Sequence, residues 1–393
     1  MSKLEELLKG VDVEWIKLGN EQFIEIANNG RKPVKASLRS SGEIPYYGAN
    51  NIQDYVEGFT HDGEYVLIAE DGSSSLENYS IQYANGKFWA NNHVHVLKGK
   101  NSIETKFLYY YLKIINFTPY LTGGERAKLT KGRMLEIQIP IPPIEIQQEI
   151  VRVLDELTTL TNQLTTELET ERQNRKKQFE FFREQLFRFE EGKAEWKELK
   201  DIFYLKNGYT PSKSKEEYWT DGTIPWFRME DIRKNGRVLN KAIQNVNISA
   251  IKGGKLFPAN SLIVATSATI GEHALVTVPY LSNQRFTNLS LKEDYTLKYN
   301  VEFLNYYCFI LDEWCKNNTT IGNFAGVDMT KFRKFLFPIP PLEEQERIVK
   351  LLDQFDATHT AIEEEITKEI KLRTQQYEYY REKLLSFPSL RTT

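Results

Sequence analysis

With 393 residues, 40% of them hydrophobic and 12% aromatic, the chain can bury more than one core, since domains hold about 100 to 200 residues each. It contains no stretch of 18 uninterrupted apolar residues, and its charged, amphipathic start, MSKLEELLKG, lacks the apolar core of a signal peptide, so a cytoplasmic setting is expected. A net charge of -3 excludes a uniformly basic nucleic-acid coat, but the charge is uneven: -1 over 1–139, -3 over 140–190, +4 over 191–337 and -3 over 338–393.

Residues 1–139 alternate short β-branched or aromatic runs, EYVLIA and KFWANNHVHVL, with Gly and Asn turns, which predicts strands; FLYYYLKII reads as a helix. In NNHVHV, alternation points His93 and His95 to one face of a strand, as a hydrogen-bonding surface pair; one core and one loop residue is the other reading, and both are favoured over a metal site. Loop-like stretches carry groups that suit DNA: Arg31, Lys32, Lys35, Arg39, Tyr46, Tyr47, Asn50 and Asn51, then Asn92 and His93. A second basic set, Arg126, Lys128, Lys131 and Arg133, precedes the first proline cluster. Arg can pair with guanine edges and Asn or Gln with adenine, while Lys and Tyr mostly position phosphates.

The prolines Pro140, Pro142 and Pro143 cannot lie inside a helix but suit an extended lead-in that ends at a helix N-terminus. Glu145 and Glu149 then place negative charge where the helix dipole favours it. Apolar side chains recur three or four apart at Ile150, Leu154, Leu157, Leu164, Leu168 and Phe182, with no Gly or Pro between. The resulting helix of roughly 43 residues would span about 65 Å.

From 191 to 337 the landmarks of the first segment return in the same order. Glu195-Trp196 answers Glu14-Trp15, Gly222 to Trp226 answers Gly42 to Tyr46, and Ser282-Asn283-Gln284 answers Asn91-Asn92-His93. SLIVATS and ALVTV read as strands and VEFLNYYCFIL as a helix, so each segment should be a small α+β domain. Here the DNA-reading candidates are Lys206, Asn207, Tyr209, Lys213, Lys215, Trp226, Arg228, Arg233, Arg237, Asn283, Gln284 and Arg285, followed by Lys331, Arg333 and Lys334 ahead of the second proline cluster. Cys308 and Cys315, seven apart and without CxxC spacing, read as reduced core thiols.

The C-terminal segment repeats the first helix. FPIPPLEEQERIVKLLD (337–353) aligns with IPIPPIEIQQEIVRVLD (139–155) at an offset of 198, and 19 of 51 positions to 189/387 are identical without a gap, which establishes a duplication. Its stripe runs Ile348, Leu352, Phe355, Ile362, Ile366 and Tyr380. Two such helices predict an antiparallel coiled coil with polar residues Thr161, Arg172, Arg175, His359 and Arg373 fixing register, and a globular domain at each end.

Motifs for independent catalysis are missing: N/D-P-P-Y/F, GxGxxG, GxxxxGK[ST] and Pro-Asp do not occur, and the five histidines lack partners at metal or triad spacing. No metal and no catalytic residue is expected.

The order variable domain, PIPPxExQxxIVxxLD helix, variable domain, second such helix resembles the DNA specificity (S) subunit of type I restriction-modification systems over essentially the whole chain. Pro140 to Asp155, Pro338 to Asp353, Phe182-Arg183-Glu184 and Tyr380-Arg381-Glu382 carry the resemblance. It implies an α+β fold in which two small target recognition domains (1–139 and 191–337) are joined by proline lead-ins and long helices (140–190 and 338–393) related by a pseudo-twofold. It further implies a non-catalytic chain whose domains each read one half of a bipartite, asymmetric duplex site. The helices would set the separation of the halves and dock two methyltransferase subunits, which use S-adenosylmethionine, and motor-nuclease subunits would join through the complex. Two other readings fit the same residues: a subunit serving a fused restriction-methylation partner, and a coiled-coil adaptor with two protein-binding heads.

Overall fold

The computed structural model describes residues 8–123, 127–320 and 325–388, which leaves Arg126 outside. The chain forms two compact units, one of residues 1–169 with 367–393 and one of residues 170–366.

In unit one the elements are β1 (Glu14–Lys17), β2 (Ile24–Ile26), β3 (Ser41–Gly48), β4 (Asn51–Val56), β5 (His61–Asp62), β6 (Tyr65–Ala69), β7 (Ile81–Ala84), β8 (Lys87–Ala90), β9 (Val94–Gly99), helices α1 (Thr105–Leu112) and α2 (Lys131–Leu135), and β10 (Gln138–Ile141). An antiparallel sheet of order β2-β9-β6-β7 packs its apolar face, with Val66, Ile68 and Leu97 fully buried, against Leu108 and Leu112 of α1. A second sheet, β4-β3-β8-β5, pairs β3 and β8 in parallel, with Tyr46 opposite Trp89. The run KFWANNHVHVL is therefore two strands in two sheets. The break falls where Asn91 Oδ1 accepts the amide of His93 at 2.8 Å, a tight local turn that takes that amide out of the ladder.

The polypeptide then crosses from β10 into α3, Ile144–Leu186, 43 residues without interruption. Helical bonding starts at Pro143, whose carbonyl accepts from the amides of Ile146 and Gln147, at a position where a missing N–H costs the helix nothing.

Unit two repeats the plan with β11 (Glu195–Glu198), β12 (Phe203–Asn207), β13 (Ile224–Phe227), α4 (Met229–Asn235), β14 (Val238–Leu239), β15 (Asn245–Val246), β16 (Ser261–Ala265), β17 (His273–Val276), β18 (Leu281–Ser282), β19 (Phe286–Leu291), α5 (Val301–Asn317), β20 (Thr319–Thr320), β21 (Gly326–Val327), α6 (Met329–Phe332), β22 (Leu336–Ile339) and α7 (Leu342–Leu385). Its larger sheet has order β12-β19-β16-β17-β14, and its smaller one, β15-β13-β18, again holds a parallel pair, with Trp226 opposite Leu281. Cys308 and Cys315 lie on the buried face of α5, where burial raises both thiol pKa values.

Both domains close the same way. β1 runs antiparallel to β10 with Trp15 opposite Pro140, and β11 antiparallel to β22 with Trp196 opposite Pro338. The proline lead-ins are therefore strands, each paired with the first strand of its own domain.

Within each unit the start of one long helix runs antiparallel to the end of the other. In unit one, Ile150 and Leu154 pack with Leu384 and Leu385; Thr158 Oγ1 donates to Leu154 O at 2.7 Å and so accepts from Tyr377 Oη at 3.2 Å. In unit two, Arg172 pairs with Glu363 at 3.0 Å, Phe179 stacks on His359 at 5.4 Å and Phe182 on Phe355 at 5.8 Å. The apolar stripe is less a simple seam than its spacing suggested. Ile150 and Leu154 also touch Phe107 and Tyr110 of α1, and Ile348 and Leu352 join the core of α5, so these four anchor domain to helix at about 2 kcal/mol each. Leu157, Leu164, Leu168, Ile362 and Tyr380 are half-buried and Ile366 is buried, while Phe182 and Phe355 shield mainly each other. Arg175 and Arg373 are not seam residues: each is exposed and bonds along its own helix, to Glu171 and Gln178 or to Glu369 and Gln376.

Candidate nucleic-acid interface

In unit one the hairpin of β3 and β4 is held so tightly at Gly42 that a Cβ there would stand 2.4 Å from the Val56 carbonyl group. Its tip is Asn50-Asn51, and Asn51 adopts φ +107°, a conformation in which Asn is among the better tolerated residues. Both are exposed, yet Asn50 is already engaged. Its Nδ2 donates to Gly72 O at 2.6 Å and its Oδ1 accepts from Ser74 N at 2.8 Å, so it shapes the loop between β6 and β7.

Arg31, Lys128, His93 and Asn92 gather around the acidic start of that loop. Arg31 Nη1 pairs with Glu70 at 2.7 Å and donates to Val94 O at 2.8 Å, Lys128 reaches Glu70 at 3.0 Å, and His93 Nδ1 lies 2.5 Å from Asp71. Burial would raise the Glu70 pKa, but the hydrogen bonds from Arg31 and Lys128 outweigh it and hold the carboxyl below its ordinary range. His93 and His95 are not a surface pair: His93 is exposed in the turn, whereas His95 is buried, between Asn28 and Leu129 O.

Tyr46, Tyr47 and Trp226 lie in the interior, Tyr46 at 1% and Trp226 at 4% exposure, so they can support a surface but not supply it. Over them sit cations. The Arg39 guanidinium is 4.2 Å from the Tyr46 ring and pairs with Asp54, and Lys32 lies 5.9 Å from Trp89. Lys32, Lys35, Lys131 and Arg133 are exposed, the last two on α2, which Thr130 caps.

Unit two has a cleft of about 550 Å³ in which three of its candidates, Lys213, Trp226 and Arg228, meet Ser214, Glu216, Trp219 and Gln244. Trp226 Nε1 donates to Tyr209 O at 3.0 Å, Trp219 meets Trp226 edge-on at 5.1 Å, and Arg228 lies 5.3 Å from the Trp226 ring. Tyr209 Oη donates to Ala250 O and accepts from Lys252 N, fixing a loop whose Lys252 side chain returns over the Tyr209 ring at 4.8 Å. Trp219, Gln244 and Lys252 were not singled out in the sequence; the Lys-Tyr-Trp mixture around Lys215 to Trp219 was the available signal. Lys206, Lys213, Lys215, Gln284 and Arg285 are exposed, Gln284 accepts from Thr210 Oγ1 at 2.5 Å, and Asn283 is a turn former whose Oδ1 accepts from Arg285 N.

Others stand apart from the cleft lining. Arg233 on α4 faces Glu272 at 3.8 Å, and Arg237 is an ion-pair partner of Asp312 at 3.2 Å. Lys331 lies on α6, capped by Asp328, and Arg333 and Lys334 follow it, all exposed. Thr130 and Asp328 are 198 apart, so the duplicated unit begins at these caps, before the prolines. Asn207 Oδ1 accepts from Thr287 at 3.0 Å. Among the described residues no group of three His, Cys, Asp or Glu could hold a metal ion, and no helix is long and apolar enough to cross a membrane.

The arrangement is thus two domains with a shared two-sheet core, of four and four strands in unit one and five and three in unit two, that present different polar and aromatic surfaces. A family model described as type I restriction modification DNA specificity domain matches residues 12–171 and again 192–372. A putative type I restriction enzyme specificity subunit of Haemophilus influenzae is 43% identical over 389 residues, covering 98% of each chain. A type I restriction enzyme specificity subunit of Escherichia coli is 33% identical, covering 100% of this chain and 98% of its own. Among solved structures, a chain from a study of complex assembly and conformational transition of the type I R-M system superposes with TM-score 0.68 at 16% identity, over 96% of this chain and 98% of that one. The duplicated helix-and-domain unit and these matches agree, and the chain belongs to the type I restriction-modification DNA specificity family.

Proposed function

We propose that each domain reads one half of a bipartite, asymmetric duplex site, and that the paired helices set the separation of the halves and dock two methyltransferase subunits. The observation that carries this reading is the repetition of one two-sheet core with unlike surfaces: at corresponding strands unit two presents Trp226 beside Trp219 and Arg228, and unit one presents Tyr46 beside Trp89 and Arg39. Equal scaffolds give equal docking, and unequal loops give unequal half-sites. The functional boundaries we assign are domains at 1–139 and 191–337 and helical arms at 140–190 and 338–393.

In this division of labour the chain supplies the address. Chemistry belongs to the partners: methyltransferase subunits carrying S-adenosylmethionine, and motor-nuclease subunits that join through the complex. The net charge of -3 on each helical arm suits protein partners better than phosphates.

Mapping methylated adenines in cells with and without the gene tests the reading, and should reveal a two-part motif that vanishes with the gene. Lys213→Ala should weaken binding to duplex DNA of the complex with its methyltransferase subunits and lower its salt slope by about 1. An unchanged slope would remove Lys213 from the interface. Lengthening both helices by whole turns should change the gap and leave the half-sites alone; altered half-sites with an unchanged gap would sink the ruler.

A further inference from the structure

Two half-buried side chains in the cleft of unit two hold unspent hydrogen-bonding capacity. Among the described residues the Gln244 side-chain amide makes no hydrogen bond. The Arg228 guanidinium makes none either; its one ion pair is a loose contact at 3.7 Å between Nε and the exposed Glu230.

The backbone beneath both is fixed. Asp231, fully buried in the first turn of α4, accepts from Arg228 N through Oδ2 at 2.7 Å and from Ile243 N, next to Gln244, through Oδ1 at 2.6 Å. Trp226 N then donates to Gln244 O at 3.2 Å. One carboxylate thus ties together the two chain segments that carry the free groups, which lowers the ordering cost when they bind.

The other domain shows the same position in a different state. Tyr46 takes the place of Trp226 and stands opposite Asp54 in the ladder of β3 and β4, so Asp54 takes the place of Gln244. Asp54 is spent: Oδ1 accepts from Tyr55 N at 2.9 Å and Oδ2 from Arg39 Nη1 at 3.3 Å. Each aromatic has an arginine near its ring, Arg39 at 4.2 Å from Tyr46 and Arg228 at 5.3 Å from Trp226. An amide in place of the carboxylate leaves the second arginine unneutralised.

The cleft wall carries two cations, Lys213 and Arg228, against one carboxylate, Glu216. Trp219 holds the Lys213 loop by donating Nε1 to Ser212 O at 3.0 Å. A free amide and a free guanidinium are the groups that match purine edges in the major groove: the amide pairs with N6 and N7 of adenine, the guanidinium with O6 and N7 of guanine. We propose that Gln244 and Arg228 are the specificity-determining residues of unit two and read an adenine and a guanine of its half-site. This division of contacts rests on the half-site reading of the domain, within which Lys213 takes a phosphate.

Competition binding by the full chain assembled with its methyltransferase subunits tests the pair, with duplexes in which each base pair of the methylated motif is replaced in turn. The wild type should lose about tenfold or more in affinity when one adenine of a half-site is replaced, and as much for one guanine of the same half. Gln244→Leu should remove the first preference alone and Arg228→Met the second alone, with every preference in the other half kept. Gln244→Glu keeps the length but offers only acceptors, and should shift the preference at its position toward cytosine. Variants that bind more weakly yet keep every wild-type preference, that alter both halves, or that lose all binding overturn the roles of Gln244 and Arg228 and leave the half-site reading in place. A wild-type complex without a two-part preference overturns both.

Discussion

Tyr306 donates its phenolic hydrogen to Asp353 Oδ1 across 2.7 Å, and Tyr110 does the same to Asp155 at 2.6 Å. The aspartate that ends each IVxxLD motif is therefore a receptor for a tyrosine of the adjoining domain. Burial, reinforced by the carboxylate, pushes both phenol pKa values above their ordinary range. Tyr110→Phe should destabilise unit one by about 1 kcal/mol and Tyr306→Phe, at a more exposed bond, by less; urea unfolding followed by fluorescence would measure both. Equal and negligible losses would show that the pair is ornamental.

The glutamine of the same motif has a larger task. Gln345 is fully buried; its Nε2 donates to Lys298 O at 2.8 Å and Pro340 O at 2.9 Å, and its Oε1 accepts from Asn300 N at 2.9 Å. Gln147 repeats all three bonds, with Ser102 O, Pro142 O and Glu104 N. Gln345→Ala strands three backbone groups at once and should cost about 2–4 kcal/mol. A Gln345→Ala chain as stable as the wild type in denaturant would contradict that role.

Much of this was legible in the sequence. The duplicated helix, its proline lead-in and the α+β character of the domains followed from repeat spacing and hydrophobic period. What could not be read was why particular positions are identical. Gln147 and Asp155 look like ordinary helix-surface residues until their partners, 45 residues away, are in place. The same holds for the site: Tyr46 and Trp226 have the composition of base-stacking groups, but a parallel strand pair buries them, and no local pattern announces a long-range pairing. Loop arginines were equally ambiguous, since Arg31 spends its donors on Glu70 and on backbone carbonyls.

Two glycines have no room for a side chain, and another has ample room. At Gly42 an added Cβ meets the Val56 backbone at 2.4 Å, and at Gly222 it meets that of Asn245 at 2.7 Å, so alanine there must force the strands apart. Gly42→Ala should lower stability by about 1–3 kcal/mol. Gly132, in α2, has nothing within 4 Å, and alanine there should add about 0.5–1 kcal/mol. Thermal denaturation of the two variants side by side should move their midpoints in opposite directions; a shared direction would refute the steric account.

His95 sets a pH dependence. Asn28 Oδ1 accepts from Val96 N, so Asn28 Nδ2 is the group that faces His95 Nδ1 at 3.1 Å and donates to it; Nε2 then carries the hydrogen, donating to Leu129 O at 2.7 Å. The neutral ring is fully satisfied, and a second proton would point Nδ1–H at another donor. Burial lowers its pKa, against the pull of Glu70. Because the folded value lies below the unfolded one, about 6.5, the stabilisation is complete above that pH and is lost as the pH falls, at up to about 1.4 kcal/mol per pH unit. Comparing unfolding free energies of the wild type and His95→Gln between neutral and mildly acid pH checks this; parallel slopes would assign the dependence elsewhere.

The pairing of first strand with last, Glu14 opposite Ile141 and Glu195 opposite Ile339, leaves the entrance and exit of each domain side by side. Whatever lies between those strands is a closed insert, and its length or surface can change without displacing the helix that follows. One framework can thus carry unrelated inserts, exchanged singly, and the number of addresses it can acquire is the product of the choices at its two positions rather than their sum.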